Sequence, residues 1–114
     1  MKFKLVVSDE GIVEKDKGKL ARIYFVIDNL AFPEAGWVDS LEILSWWKTS
    51  ISRLGITSSY ELLLFKEGPF KVKATITRSG DVRLLFLEEG LFKEKVQVST
   101  TLSIAQLRVL VFED

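Results

Sequence analysis

The sequence predicts an α+β domain: a mostly antiparallel sheet with two or three N-terminal strands, a central helix, a four-strand meander and a C-terminal helix. Three observations carry this. Phe3, Leu5 and Val7 recur at every second position, apolar residues recur at helical spacing between Ile43 and Leu54, and the second half divides into four short apolar runs separated by glycine turns.

In chain order, Phe3, Leu5 and Val7 alternate with Lys2, Lys4 and Ser8, the pattern of a half-buried strand. Turn residues at Asp9-Glu10-Gly11 and Asp16-Lys17-Gly18 bracket a short segment, Ile12 to Glu14, that is expected to pair. From Lys19 to Asp28 both alternating faces are apolar, Tyr24 and Val26 on one and Ile23, Phe25 and Ile27 on the other, which predicts a central strand. Pro33, Gly36 and the lack of any period make residues 30–38 a connection. Asp39 and Glu42 then have the spacing of a capping box, so Asp39 is expected to start a helix that runs to Leu54 and stops at Gly55. At roughly 100° per residue, Ile43, Leu44, Trp47, Ile51 and Leu54 share one arc and should face the sheet.

The meander is expected as Tyr60 to Lys66, Phe70 to Thr77, Val82 to Glu88 and Leu91 to Thr100, with turns at Gly68-Pro69, Ser79-Gly80 and Gly90. A hairpin loop Arg78-Ser79-Gly80, with Gly80 left-handed, sets the register. It places Ile76 opposite Val82, Ala74 opposite Leu84 and Val72 opposite Phe86 on a core face, leaving Lys71, Lys73, Thr75, Arg83, Leu85 and Leu87 on a face expected to be largely wet. Ser103 offers a cap for a last helix carrying Ile104, Leu107, Leu110 and Val111; residues 109–112 would also suit an edge strand, but helix is preferred. No repeat, linker or low-complexity stretch divides residues 1–114, so a single domain is expected.

Composition narrows the chemistry. The 114 residues hold 16 basic and 16 acidic side chains, and neither histidine nor cysteine. An imidazole base, a thiolate nucleophile, a disulfide framework and an ordinary zinc site are thereby excluded, leaving carboxylates, lysine or an otherwise activated hydroxyl. No metal, cofactor or catalytic residue is assigned, and the protein is not expected to be an enzyme. Balanced charge disfavours generic binding to nucleic acid or anionic lipid. The apolar run after Lys2 and Lys4 meets Ser8, Asp9 and Glu10 too early for a signal peptide, and no run approaches the roughly 18 residues of a membrane helix, so a cytoplasmic protein is expected.

The most unusual stretch is Phe32-Pro33-Glu34-Ala35-Gly36-Trp37-Val38-Asp39, two large aromatics in a loop ahead of a helix. Loops often carry function, and tryptophan is enriched where binding energy concentrates. The plainer alternative is that Phe32 and Trp37 pin the loop over the core while Asp39 caps the helix. Trp46 and Trp47 are adjacent on the helix and cannot both face inward. Trp47 lies in the apolar arc; Trp46 projects toward Glu42, Thr49 and Arg53, where it either shelters under the loop or anchors a partner. Glu34 with Asp39 is the only candidate for a two-carboxylate hydrolase site, and a weak one.

Phe32-Pro33, Trp37 and Asp39, then Leu44 and Trp46-Trp47, then Leu63 to Phe65 and Gly68-Pro69-Phe70 resemble a group of small bacterial proteins with an F-P-x-x-x-W-x-D loop, a tryptophan-rich helix and a G-P-aromatic turn. The resemblance covers residues 25–75 and implies the same sheet-and-helix fold; it brings no activity with it, but small single-domain bacterial proteins of this kind are often candidates for immunity or antitoxin roles. The expected function is a non-enzymatic protein-binding domain, immunity-like, meeting a protein partner through Phe32, Glu34, Trp37, Asp39 and Trp46. A homodimer built on the Leu85/Leu87 face or the terminal strand is the alternative.

Overall fold

A computed structural model of the chain describes residues 2–8, 19–91 and 93–112. Alternation decides the first sheet. In β2 (Leu20–Ile27), Ala21, Ile23, Phe25 and Ile27 are buried while their neighbours are half-buried. It is the central strand, pairing antiparallel with β1 (Phe3–Ser8) on one edge and with two short strands, β3 (Leu30–Phe32) and β4 (Val38–Ser40), on the other. The expected Ile12–Glu14 strand and its flanking turns fall outside the described residues.

Part of the expected connection over residues 30–38 is therefore strand. The reason lies in Asp28-Asn29, a two-residue hairpin loop in which Asp28 takes φ +53° and its Oδ1 accepts the backbone N–H of Lys2 at 2.9 Å. Asp and Asn tolerate this left-handed geometry, so the chain reverses where no glycine signals it.

The meander forms a second four-stranded antiparallel sheet: β5 (Tyr60–Leu64), β6 (Phe70–Ile76), β7 (Val82–Glu89) and β8 (Glu94–Leu102). Ile76, Ala74 and Val72 lie opposite Val82, Leu84 and Phe86 as expected, and Gly80 at the loop takes φ +89°. The last strand starts and ends later than the sequence suggests, and a bulge opposite Phe86 and Leu87 breaks its register. Leu87 also departs from expectation. It is 2% exposed although it lies on the face opposite the core, across from Lys71, whose side chain is only 15% exposed. The lysine stem covers the leucine and keeps its ammonium at the surface.

The inward faces of the two sheets meet through aromatic rings. Phe25 packs edge-on against Phe86 with centroids 5.3 Å apart and stacks on Trp47 at 5.4 Å, while Phe32 reaches both Phe86 and Phe70. Trp47 belongs to α1 (Glu42–Arg53), which buries Ile43, Trp47, Ser50 and Ile51. Its indole N–H donates to the Leu64 carbonyl at 2.8 Å, joining the helix to β5. The helix stops at Leu54 and Gly55, as expected.

The C-terminal segment is helical, α2 (Ile104–Phe112), with Leu107 and Val111 buried. Its start is a reciprocal capping box: the Gln106 N–H donates to Ser103 Oγ, and the Ser103 N–H to Gln106 Oε1. It docks on the end of α1, where Arg108 donates to the Leu54 carbonyl. None of the helices among the described residues is long and apolar enough to cross a membrane.

Gly55 and Gly80 separate two effects. Both have positive φ, but a Cβ on Gly55 would stand 2.6 Å from Ile104 Cδ1, whereas one on Gly80 meets nothing within 4 Å. Gly80→Ala should cost about 1–2 kcal/mol from backbone strain alone, and Gly55→Ala somewhat more, because the Ile104 side chain must also move aside. Urea unfolding of the two variants measures this; equal losses would mean that the Ile104 side chain does not press on Gly55.

Candidate functional site

β3 and β4 are two pieces of one edge strand. Phe32 pairs with Phe25 and Val38 with Arg22, so five residues, 33–37, stand opposite only Ile23 and Tyr24. The three surplus residues form an excursion that begins at a cis Phe32–Pro33 peptide and closes where the Ile23 N–H donates to the Trp37 carbonyl at 2.8 Å. An odd surplus inverts the alternation of the strand. Phe32 and Asp39 consequently both point inward, Phe32 at 1% and Asp39 at 0% exposure.

This corrects the capping assignment. Asp39 pairs with Ala21 in β4 and does not cap α1, whose N-cap is Leu41 with no side-chain hydrogen bond. Its carboxylate instead accepts four hydrogen bonds. Oδ1 takes the backbone N–H of Ser40 at 2.7 Å and of Lys66 at 3.2 Å; Oδ2 takes the Trp37 indole N–H at 3.0 Å and the backbone N–H of Glu67 at 3.1 Å. Burying a carboxylate costs several kcal/mol unless its oxygens are filled. Two donors per oxygen fill them.

The bonds to Lys66 and Glu67 draw the β5–β6 turn against the excursion. Gly68 in that turn has φ +69°, and a Cβ there would lie 2.9 Å from the Trp37 ring. Trp37 then packs edge-on against Phe70 at 5.1 Å, and Phe70 against Phe32 at 5.6 Å. The structure thus brings together Phe32, Trp37, Asp39, Gly68 and Phe70, the residues of the F-P-x-x-x-W-x-D and G-P-aromatic patterns. Lys66 and Glu67 contribute through their backbone, which no residue pattern marks.

The remaining candidates lie outside this clasp. Glu34 is exposed at the tip of the excursion, and Trp37 is half-buried with its N–H engaged. Trp46 is 41% exposed. It sits on the side of α1 between Glu42, which pairs with Lys66 Nζ, and Arg53, which pairs with Glu61 at 2.7 Å. The hydrogen bond from Arg53 holds the Glu61 carboxyl below the usual carboxylate range, and the bond to Glu42 raises Lys66. Lys66 also links the two tryptophans: its backbone shares the Asp39 carboxylate with Trp37, and its ammonium meets Glu42, one helical turn from Trp46. Trp37, Lys66, Glu42 and Trp46 are thus linked in series, through the buried Asp39 carboxylate and then along α1.

The arrangement suits contact better than acid–base work at Asp39, whose lone pairs already hold four protein donors. Among the described residues no group of three His, Cys, Asp or Glu could hold a metal ion. The chain matches no protein-family model, and no curated protein or solved structure is significantly similar to it.

The clasp predicts a graded response in urea unfolding. Asp39→Ala leaves its donors unpaired and should cost on the order of 3 kcal/mol. Asp39→Asn retains one acceptor oxygen and should lose less, and Glu34→Ala should stay within about 0.5 kcal/mol of wild type. An Asp39→Ala loss no larger than that of Glu34→Ala would remove the clasp from the account of stability.

Proposed function

We propose that the protein is a non-enzymatic protein-binding domain, cytoplasmic, and of the immunity or antitoxin-like type in which a compact surface covers a partner's site. The observation that carries this is Trp46: a large indole held partly in solvent on a polar helix side, between one ion pair from the helix to β5, Arg53–Glu61, and another to the segment just after it, Glu42–Lys66. A half-exposed tryptophan loses little conformational entropy on docking and offers apolar area with an N–H donor. Flanking charges on Glu42, Lys66, Arg53 and Glu61 form the kind of polar rim that selects a partner more than it adds affinity.

The sequence-derived surface divides in this reading. Trp46, Glu34 and the outer edge of Trp37 face the partner. Phe32 and Asp39 act from within, keeping the excursion and Trp37 in place. The neutral net charge argues against mimicry of nucleic acid, the strategy that makes many inhibitors strongly acidic, and favours a partner met through aromatic contact.

Affinity capture from the source cells with wild type, Trp46→Ala and Leu30→Ala tests the reading, Leu30 being an exposed apolar residue of β3. Wild type and Leu30→Ala should enrich the same protein, which then binds purified wild type saturably in calorimetry, while Trp46→Ala loses at least about tenfold in affinity, as truncating an interface anchor does. Equal capture by all three folded proteins would place the interface elsewhere.

A further inference from the structure

The outward face of the second sheet has no helix or strand over it among the described elements. Its rows follow from the register: Leu64, Lys71, Leu87 and Val96 in one, Leu62, Lys73, Leu85 and Ser99 in the next. Leu87 is the only buried apolar residue among the described ones that does not belong to the core cluster. It is the centre of a second, small apolar patch. The two lysines crossing this patch are neutralised locally, Lys71 by Glu94 at 2.6 Å and by Glu89 at 3.6 Å, and Lys73 by Glu94 at 3.6 Å. What the face offers is therefore mostly their stems and the leucines between them.

Along β7 the outward residues read Arg83, Leu85, Leu87 and Glu89. Arg83 is exposed and has no ion-pair partner among the described residues. This order is its own complement under a two-fold axis. A rotation about a line lying in the face, across β7 at the level of residue 86, sets Arg83 over Glu89 of a second copy and Leu85 over Leu87. The same rotation sets Leu62 over Leu64 on β5 and Lys71 over Lys73 on β6, where the Glu94 carboxylate of each copy bridges its own two lysines and offsets their charge. An isologous interface needs this property, each residue meeting its counterpart's partner.

We propose that this face is a homodimer interface, two copies of the chain packing sheet against sheet about a two-fold axis through β7. Four strands about 4.8 Å apart, each carrying some 20 Å of outward side chains, span a face of roughly 400 Å² per copy, below the roughly 800 Å² per partner of a standard specific interface and in the range of weak, transient ones. The dimer is accordingly reversible, and its ends are held by the reciprocal Arg83–Glu89 contacts. It leaves the Trp46 side of the molecule to a different partner, so its success or failure is independent of the function proposed above.

Sedimentation over a wide concentration range tests this on the wild-type chain, Leu85→Lys, Arg83→Glu, Glu89→Arg and the Arg83→Glu/Glu89→Arg double variant, with circular dichroism confirming that each is folded. Wild type should pass from monomer to dimer with rising concentration, and Leu85→Lys should remain a monomer. Each single charge reversal should weaken the dimer at least about tenfold, because it sets like charges together at both ends, and the double reversal should recover most of that loss. A wild-type monomer at every concentration, or a dimer indifferent to Leu85→Lys, would overturn the proposal. So would a double variant no tighter than the singles. If Leu85→Lys does not fold, the charge-reversal cycle decides alone.

Discussion

The hydrogen-bonded carboxylate of Asp39 is the constraint on which the rest of this architecture turns. A buried carboxylate is unfavourable in isolation, so its burial forces three segments to supply donors at once: the excursion through Trp37, the edge strand through Ser40, and the β5–β6 turn through Lys66 and Glu67. These segments are 27 and 28 residues apart in sequence at the longest links, and they belong to different sheets. The carboxylate joins one sheet to the other by polar bonds, as the aromatic core joins them by packing.

The aromatic core explains why the clasp has something to close upon. Phe25, Phe32, Phe65, Phe70 and Phe86 form a continuous set of edge-on contacts, with Trp47 stacked on Phe25 and Trp37 set against Phe70. Such pairs add about 0.5–1.5 kcal/mol each beyond the area they bury. With Trp37 and Trp47 used in this way, Trp46 is the tryptophan that packing leaves over. The proposed contact surface is centred there for that reason, and the open Leu85 face is independent of it.

Local pattern made much of the fold legible. The Arg78-Ser79-Gly80 loop determined the β6–β7 register, Gly55 marked the end of α1, and Ser103 marked the start of α2 because Gln106 returns its hydrogen bond. The failures have two physical sources, pairing with partners outside the local window and a turn made without glycine. Asp39 and Glu42 satisfy a capping pattern as text, but whether an aspartate caps a helix or turns inward from a strand depends on its pairing with Ala21, a partner outside the local window. Asp28-Asn29 made a hairpin without glycine, and Leu87 became buried through a lysine on the neighbouring strand. Of the candidate site, the residue types and the outward side of Trp46 on α1 were readable; the inward turn of both Phe32 and Asp39 was not, because the three-residue surplus that inverts the strand is visible only in the pairing.

Amide hydrogen exchange at Lys66 and Glu67 tests the central role of Asp39 most directly. Both residues lie beyond the end of β5 with exposed side chains, so nothing but the carboxylate protects their N–H groups in the hydrogen bonds described. Slow exchange at both positions is expected in the wild-type protein, with that protection lost in Asp39→Ala while the Val72 amide, in the middle of the second sheet, stays slow. Fast exchange at Lys66 and Glu67 in the wild type, or unchanged protection after Asp39→Ala, would contradict it.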